Sequence, residues 1–277
     1  MTITRFAPSP TGELHLGHAY AAKVAHDLAR EHHGQFLLRH EDIDSSRVRE
    51  EYYQHIEADL KWLGLNWDGE ILRQSGRQEA YREALENLKQ QGLAYPCFCT
   101  RREIQAEVQR SLVAPHGTTE HIYPGICRDI TAKESAKRIT NGEAHAWRFN
   151  SKKAANIHGE LSFQDLRFGT TQVNILANGD AVLARKDIGI AYHLAVVVDD
   201  TFQNISHVTR GDDLFDSTHI HRQLQAVLGF PEPIYFHHHC ICDETGKRLA
   251  KRDNARSIQS LRKAGKSKED VFAMIED

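Results

Sequence analysis

The sequence predicts an α/β fold, in which a mainly parallel sheet is covered by helices. The opening segments Ile3–Ala7, Gly17–Glu31 and Gln35–Arg39 are typical of a strand, a helix and a second strand, the unit from which parallel sheets are built. Leu194–Asp200 is an apolar, β-branched run that fits a parallel strand covered on both faces. Between these regions, Tyr95 to about Leu183 has an irregular pattern, which predicts an insertion between two halves of a sheet domain.

The remaining elements follow from helical spacing and from residues that end helices. Gly34 lies where the first helix needs a C-terminal cap, and Gly92 and Gly229 lie at the ends of later helical patterns. A short strand is predicted at Ala146–Phe149. Besides the first helix, amphipathic patterns predict helices at Glu50–Leu63, Gln78–Gln91 and Ser217–Leu228.

Length and charge exclude several classes of protein. The chain has 277 residues, enough for one large or two modest domains. Its 35 Lys and Arg against 38 Asp and Glu give a net charge of −3, so any RNA contact must be local. No stretch approaches the roughly 18 apolar residues of a membrane span, and the start has no signal-peptide core. We therefore expect a cytoplasmic, monomeric protein without a membrane partner.

Two histidines at the start of the first helix are the first candidate site. His15 and His18 share a helix face beside unpaired backbone N–H groups, which attract anions such as phosphate. Alone they would be ordinary surface residues in a chain with 18 histidines. The loop Pro8–Gly12 precedes them and the basic run Lys247–Arg252 lies near the other end of the chain. Together these segments predict one nucleotide site.

The same segments carry a resemblance to a known family. Arg5–Gly12 with His15–His18 resembles the first signature of class I aminoacyl-tRNA synthetases of the glutamyl type. Arg248–Arg252 resembles the second signature, but Ala250 stands where those enzymes usually have serine. The loss of that serine hydroxyl predicts a lower turnover. Lys251 matches the lysine that contacts ATP, so inactivity is not expected. Further matches along the chain are Leu38–Asp44, Tyr192–Asp200 and His207–Leu214.

Chain length points to a subgroup of this family. The sequence ends at Asp277, soon after Lys251, which leaves too few residues for the helical domains that read the anticodon in full glutamyl enzymes. It resembles instead the truncated paralogues, which activate L-glutamate without tRNA and transfer it to queuosine at the wobble position of tRNA(Asp). Two alternatives stay open. One is a catalytic fragment that charges the 3′ end of tRNA(Glu), and the other is a non-catalytic module that binds glutamate or RNA.

The resemblance implies a set of substrate-binding residues. Glutamate presents one ammonium and two carboxylates, so its pocket needs an acid and arginine forks. Glu41 is expected to bind the α-ammonium, and Arg210 and Arg5 the side-chain carboxylate. ATP is expected at His15, Gly17, His18 and Lys251, with Mg²⁺ bridging the leaving pyrophosphate. The complete glutamate set is Arg5, Ser9, Glu41, Tyr192 and Arg210.

Three clustered cysteines predict a structural zinc site. Cys97, Cys99 and Cys127 supply three thiolates, and one more ligand would complete a closed tetrahedral site. General zinc chemistry favours His116 or His121 as the fourth ligand, whereas the resemblance points to the oxygen of Tyr123. The plainer alternative is three reduced, buried cysteines.

A second group of metal-binding residue types, His237–Cys242, is better explained as a strand, because alternate side chains point to opposite faces.

The expected organisation is a Rossmann-like class I catalytic domain with a zinc-bearing insertion and a short helical tail. Its segments are residues 1–94 and 186–239 for the two halves of the catalytic domain, 95–185 for the insertion, and 240–277 for the second-signature loop and tail.

Overall fold

The computed structural model describes residues 1–100, 102–104, 123–175, 177–186, 189–241 and 257–276. Lys251 and the rest of the second signature, as well as His116 and His121, lie outside the described residues. The strands are β1 (Ile3–Phe6), β2 (Gln35–His40), β3 (Leu72–Arg73), β4 (Ala94–Cys97), β5 (Ala146–Phe149), β6 (Ser162–Asp165), β7 (Gly169–Gln172), β8 (Val182–Arg185), β9 (Gly189–Ile190), β10 (His207–Gly211) and β11 (Ile234–His238). The helices are α1 (Leu16–Glu31), α2 (Glu50–Leu63), α3 (Gln78–Gln90), α4 (Ala132–Thr140), α5 (Ser151–His158), α6 (Tyr192–Phe202), α7 (Phe215–Leu228), α8 (Ile258–Lys263) and α9 (Lys268–Glu276).

Parallel strands form the centre of the fold, which confirms the predicted strand–helix–strand opening. β1 pairs in parallel with β2, and β2 with β3. β10 pairs in parallel with β11, which also pairs with β6. The Ser206 N–H donates to the Ile3 carbonyl at 3.0 Å, so β10 begins beside β1. The carboxyl ends of β1, β2 and β10 therefore meet at one edge.

The stretch predicted to be irregular contains an antiparallel sheet of its own. Its strand order is β4-β5-β8-β9, and all three pairings are antiparallel. β6 and β7, from the same stretch of chain, instead join the sheet of β10 and β11. No described helix has both the length and the apolar character to cross a membrane.

The prediction of a strand at Leu194–Asp200 is wrong. These residues belong to helix α6, and Leu194–Val198 are all buried. The helix packs in the main apolar cluster together with Tyr81 and Leu88 of α3 and Leu224 of α7. A helix that is covered on every side has no polar face, so its short apolar run has the same pattern as that of a buried strand.

Gly34 is needed for space and not for a left-handed cap. The positive φ after α1 belongs to His33, at 50°, whereas Gly92 and Gly229 do take positive φ as predicted. A Cβ on Gly34 would lie 2.0 Å from the carbonyl oxygen of Thr2. The glycine thus allows the chain to pass close to the start of β1 as it enters β2.

Asp200 on α6 connects the helix to two strands. Its Oδ1 lies 3.0 Å from Nε of Arg5 on β1 and 2.8 Å from Nη2 of Arg39 on β2. Arg39 is completely buried and also donates to Oε1 of Gln203 at 2.9 Å. Burial raises the pKa of Asp200, but the two guanidinium groups outweigh burial and lower the pKa below its usual value. The carboxylate therefore stays ionised inside the protein.

Replacing Gly34 by alanine should destabilise the protein by about 1–3 kcal/mol, because the new methyl group must displace backbone at Thr2. The free energy of unfolding in urea measures the effect. Gly76→Ala is the matched control, since a Cβ there would meet no atom within 4 Å. Equal stability of the Gly34 variant and the control would contradict the close approach.

Asp200→Asn should lower the free energy of unfolding at pH 7 by about 3–5 kcal/mol, because Arg5 and Arg39 lose a buried counter-charge. The folded-state pKa of Asp200 is lowered, so the wild type's advantage is complete above the ordinary value of 3.8 and disappears as pH falls through the folded-state pKa. Urea unfolding from pH 7 to pH 3 checks this, with the exposed Asp129→Asn as control. An advantage that persists unchanged at pH 3 would contradict the ion pair.

Candidate active site

A cleft of about 420 Å³ opens at the edge where β1, β2 and β10 end. Among the described residues it collects the predicted glutamate and ATP positions, although they come from three distant parts of the sequence. The lining includes Arg5, Ser9, His15, Gly17, His18, Glu41, Tyr192 and Arg210. Lys251 is the single predicted position of that set outside the described residues.

His15 and His18 lie together at the start of α1. Their rings stack with centroids 3.8 Å apart, and the His15 backbone N–H donates to Nδ1 of His18 at 3.3 Å. A Cβ on Gly17 would come within 3.1 Å of the His15 ring, so the glycine keeps the two rings in this packing. The N-terminus of a sixteen-residue helix and two imidazoles thus face the same cleft, a favourable place for a phosphate.

The segments on either side of the second signature border the same place. Cys240 and Ile241 line the cleft. On the far side, Ser257 forms a β-bridge with His15, and the Ile258 N–H donates to the Leu14 carbonyl at 2.8 Å. Both described ends of the segment that carries Lys251 are therefore close to the paired histidines.

Glu41 occupies the first position after β2. Its backbone N–H donates to the Pro8 carbonyl at 3.0 Å, which fixes the loop before α1 against the end of the strand. Burial raises the pKa of the Glu41 carboxyl to about 7, although the neighbouring Arg39 and Arg5 oppose the rise. A bound cation would restore the charged form, so the site suits an ammonium group.

The two predicted arginines differ in their partners. Arg5 is paired with Asp200 and also donates from Nη1 to the Thr209 carbonyl at 3.1 Å. Arg210 donates to ring nitrogens of His237 and His221, at 3.1 and 3.0 Å, and to the hydroxyl of Thr218. Of the two, Arg210 thus has the charge that neighbouring groups compensate less.

A second cavity, of about 780 Å³, adjoins the cleft. The two share Ser9, Glu41 and Tyr192 as a common wall. The second cavity extends to Cys99, and its lining carries several cationic side chains and few acids in the described part of the chain. These cations are Arg47, Arg148, Arg185 and Lys186.

The predicted zinc ligands lie together beside this cavity. The sulfur atoms of Cys97, Cys99 and Cys127 are all within 4.8 Å of one another. Oη of Tyr123 lies 3.4 Å from the Cys97 sulfur and 3.8 Å from the Cys99 sulfur, and it accepts the Cys127 backbone N–H at 2.8 Å. The donor set, three sulfurs and an oxygen around one point, fits a tetrahedral zinc ion.

Several residues of this site were not identified from the sequence. Asp200 ends the segment Leu194–Asp200 that was interpreted as a strand, and His193 directly precedes it, so neither side chain could be placed on a helix face. For His221 on α7, no motif or spacing in the sequence predicted a role in the site. The strand predicted over His237–Cys242 is confirmed only at its start, because β11 ends at His238 and residues 239–241 are not in a strand. The register partner of His237 on β10 is Arg210.

Comparison with known proteins agrees with this geometry. Residues 1–276 match the family "tRNA synthetases class I (E and Q), catalytic domain". A glutamyl-Q tRNA(Asp) synthetase of Rhodobacter capsulatus is 48% identical over 278 residues, covering 99% of both chains. A glutamate–tRNA ligase of Aquifex aeolicus is 39% identical, over 97% of this chain and 55% of its own length.

A solved structure is also similar. The crystal structure of glutamate-tRNA synthetase from Elizabethkingia anophelis superposes with a TM-score of 0.77 at 28% sequence identity. It covers 91% of this chain, which spans about half, 53%, of that longer protein. The family model matches nearly the whole chain, and the R. capsulatus relative aligns with it from end to end. The chain therefore belongs to the class I glutamyl and glutaminyl tRNA synthetases and, within them, to the glutamyl-Q tRNA(Asp) synthetases.

Proposed function

We propose that the protein activates L-glutamate with ATP in the absence of tRNA and transfers it to queuosine at the wobble position of tRNA(Asp). The observation that carries the proposal is the single cleft that holds paired histidines at a helix start, an acid and an arginine with uncompensated charge. The name of the R. capsulatus relative, identical at 48% of positions over the whole chain, supports this substrate and this acceptor.

In the first step the glutamate α-carboxylate attacks the α-phosphorus of ATP, and pyrophosphate leaves with its Mg²⁺. Glutamyl-adenylate is the product. His15 and His18, at the start of α1, stabilise the charge that develops on the α-phosphate from one side, and Lys251 does so from the other. The protein supplies position and charge, and no protein nucleophile is needed.

Glutamate is held by complementary charges. Glu41 binds the α-ammonium, which favours the ionised form of its carboxyl. Arg210, with Arg5 beside it, binds the side-chain carboxylate, and Ser9 and Tyr192 complete the wall. Arg5 already contacts the Asp200 carboxylate, whereas the hydrogen-bond partners of Arg210 are neutral, so Arg210 contributes most of the attraction for the substrate carboxylate.

The acceptor enters through the second cavity. A hydroxyl of the queuosine cyclopentene ring attacks the activated carbonyl, and AMP leaves. The cavity meets the cleft at Ser9, Glu41 and Tyr192, so the base would reach the activated carbonyl past these three residues. Cationic side chains such as Arg47 and Lys186 suit the phosphates of an anticodon loop.

A structural zinc ion supports the wall of that cavity. Cys97, Cys99, Cys127 and Tyr123 would hold it, and the ion would fix a segment with little apolar core. Nζ of Lys186 donates to the carbonyls of Phe98 and Cys99, at 3.3 and 3.2 Å, so the cluster also positions one of the cations.

Pyrophosphate exchange should depend on glutamate and require no tRNA.

In the transfer assay, removing the terminal adenosine from queuosine-containing tRNA(Asp) should leave incorporation of labelled glutamate unchanged, because the acceptor is the wobble base. Intact tRNA(Asp) without queuosine is the control and should accept nothing. Loss of incorporation with the shortened tRNA would show charging of the 3′ end and refute the proposal in favour of a glutamyl-tRNA synthetase fragment. No exchange at all would indicate a non-catalytic module.

Metal analysis of the purified protein should find about one zinc per chain. Cys97→Ser and Cys127→Ser should lose it, together with thermal stability, because each removes a thiolate ligand. Tyr123→Phe should weaken zinc retention during dialysis against a chelator if its oxygen is the fourth ligand. Cys240→Ser, a cysteine outside the cluster, is the control. Full retention in Tyr123→Phe would assign the fourth position to a histidine or water, and zinc-free protein of normal stability would refute the site.

A further inference from the structure

Arg210 is surrounded by acceptors that carry no charge. Its Nε donates to Nε2 of His237 at 3.1 Å and its Nη1 to Nδ1 of His221 at 3.0 Å. Its Nη2 donates to the Thr218 hydroxyl. No carboxylate is among its hydrogen-bond partners in the described part of the chain. Arg5 on the neighbouring β1 and Arg39 on β2, by contrast, both contact the Asp200 carboxylate.

The hydrogen bonds determine where each ring proton lies. A guanidinium can only donate, so Nδ1 of His221 must be unprotonated and its proton lies on Nε2. That N–H donates to Nδ1 of His193 at 3.1 Å, which leaves the His193 proton on Nε2. On the other side, Nε2 of His237 accepts from Arg210, so its Nδ1–H donates to Oδ2 of Asp165 at 2.6 Å.

Burial keeps these three rings neutral. Burial and then the charge of Arg210 lower the pKa of His193 to about 4 and that of His237 to about 4. The same two causes lower the pKa of His221 well below its usual value. A neutral imidazole orients a guanidinium without cancelling its charge, whereas a carboxylate in its place would form an ion pair.

We propose that His221 and His237 are positioning residues that hold Arg210 through neutral ring nitrogens, so that its full charge meets the side-chain carboxylate of glutamate and discriminates against glutamine. This inference rests on the proposed function, because it assumes that Arg210 contacts the substrate. Glutamine carries no charge at the corresponding atoms, so it gains little from an uncompensated cation.

His221→Asp tests the inference, with His221→Asn as its matched partner. Both replacements place an oxygen near the position of Nδ1, but only aspartate brings a charge. In pyrophosphate exchange, His221→Asp should lower kcat/KM for glutamate by roughly 100-fold while KM for ATP and any exchange measured with glutamine stay the same. His221→Asn should retain most of the glutamate activity. Equal activity of the two variants, or a parallel loss for glutamate and ATP, would overturn the inference.

A measurement on the unmodified protein covers the case in which His221→Asp fails to fold. Nitrogen-15 NMR of the histidine rings at pH 7, without substrate, should show His221 protonated only on Nε2 and His237 only on Nδ1. A doubly protonated ring at either position would overturn the inference. Wild-type protein without glutamate-dependent exchange would instead refute the proposed function, and the NMR result would still decide the state of the histidines.

Discussion

The buried ion pair between Asp200 and two arginines is the constraint on which the site depends. It joins helix α6 to β1 and β2 through one carboxylate, at 3.0 and 2.8 Å. Removing these three charges from water is costly, and the burial of the two guanidinium groups is acceptable only because the carboxylate lies between them. The pair orients the carboxyl ends of the strands, where Glu41 and the loop before α1 lie. It also gives Arg5 a carboxylate partner, whereas the hydrogen-bond partners of Arg210 are neutral.

The charges of the cleft are therefore arranged by burial as much as by residue type. Burial raises the pKa of Glu41 to about 7, so an approaching ammonium group and a proton compete for this carboxyl. Burial acts on the histidines around Arg210 in the opposite sense and keeps them uncharged. One physical effect thus prepares a position for a cation and a position for an anion within the same small pocket.

Much of this arrangement could be predicted from the sequence, because long motifs identify the family and glycines mark helix ends. The opening β1-α1-β2 unit, helix α2 and the clustering of Cys97, Cys99 and Cys127 were all predicted. The failure at α6 has a physical reason, since a helix buried on every side loses the periodicity that distinguishes it from a strand. Asp200 contacts Arg5, 195 residues away, and His221 contacts Arg210, 11 residues away. Such contacts between distant residues cannot be deduced from a single sequence.

The common wall between the two cavities has a kinetic consequence. Ser9, Glu41 and Tyr192 face the cleft on one side and the larger cavity on the other. An activated amino acid held at this wall can be approached by its acceptor without first leaving or turning. The two half-reactions then need no release of the mixed anhydride into solvent between them, because the acceptor reaches the anhydride through a different cavity from the one that holds the adenylate.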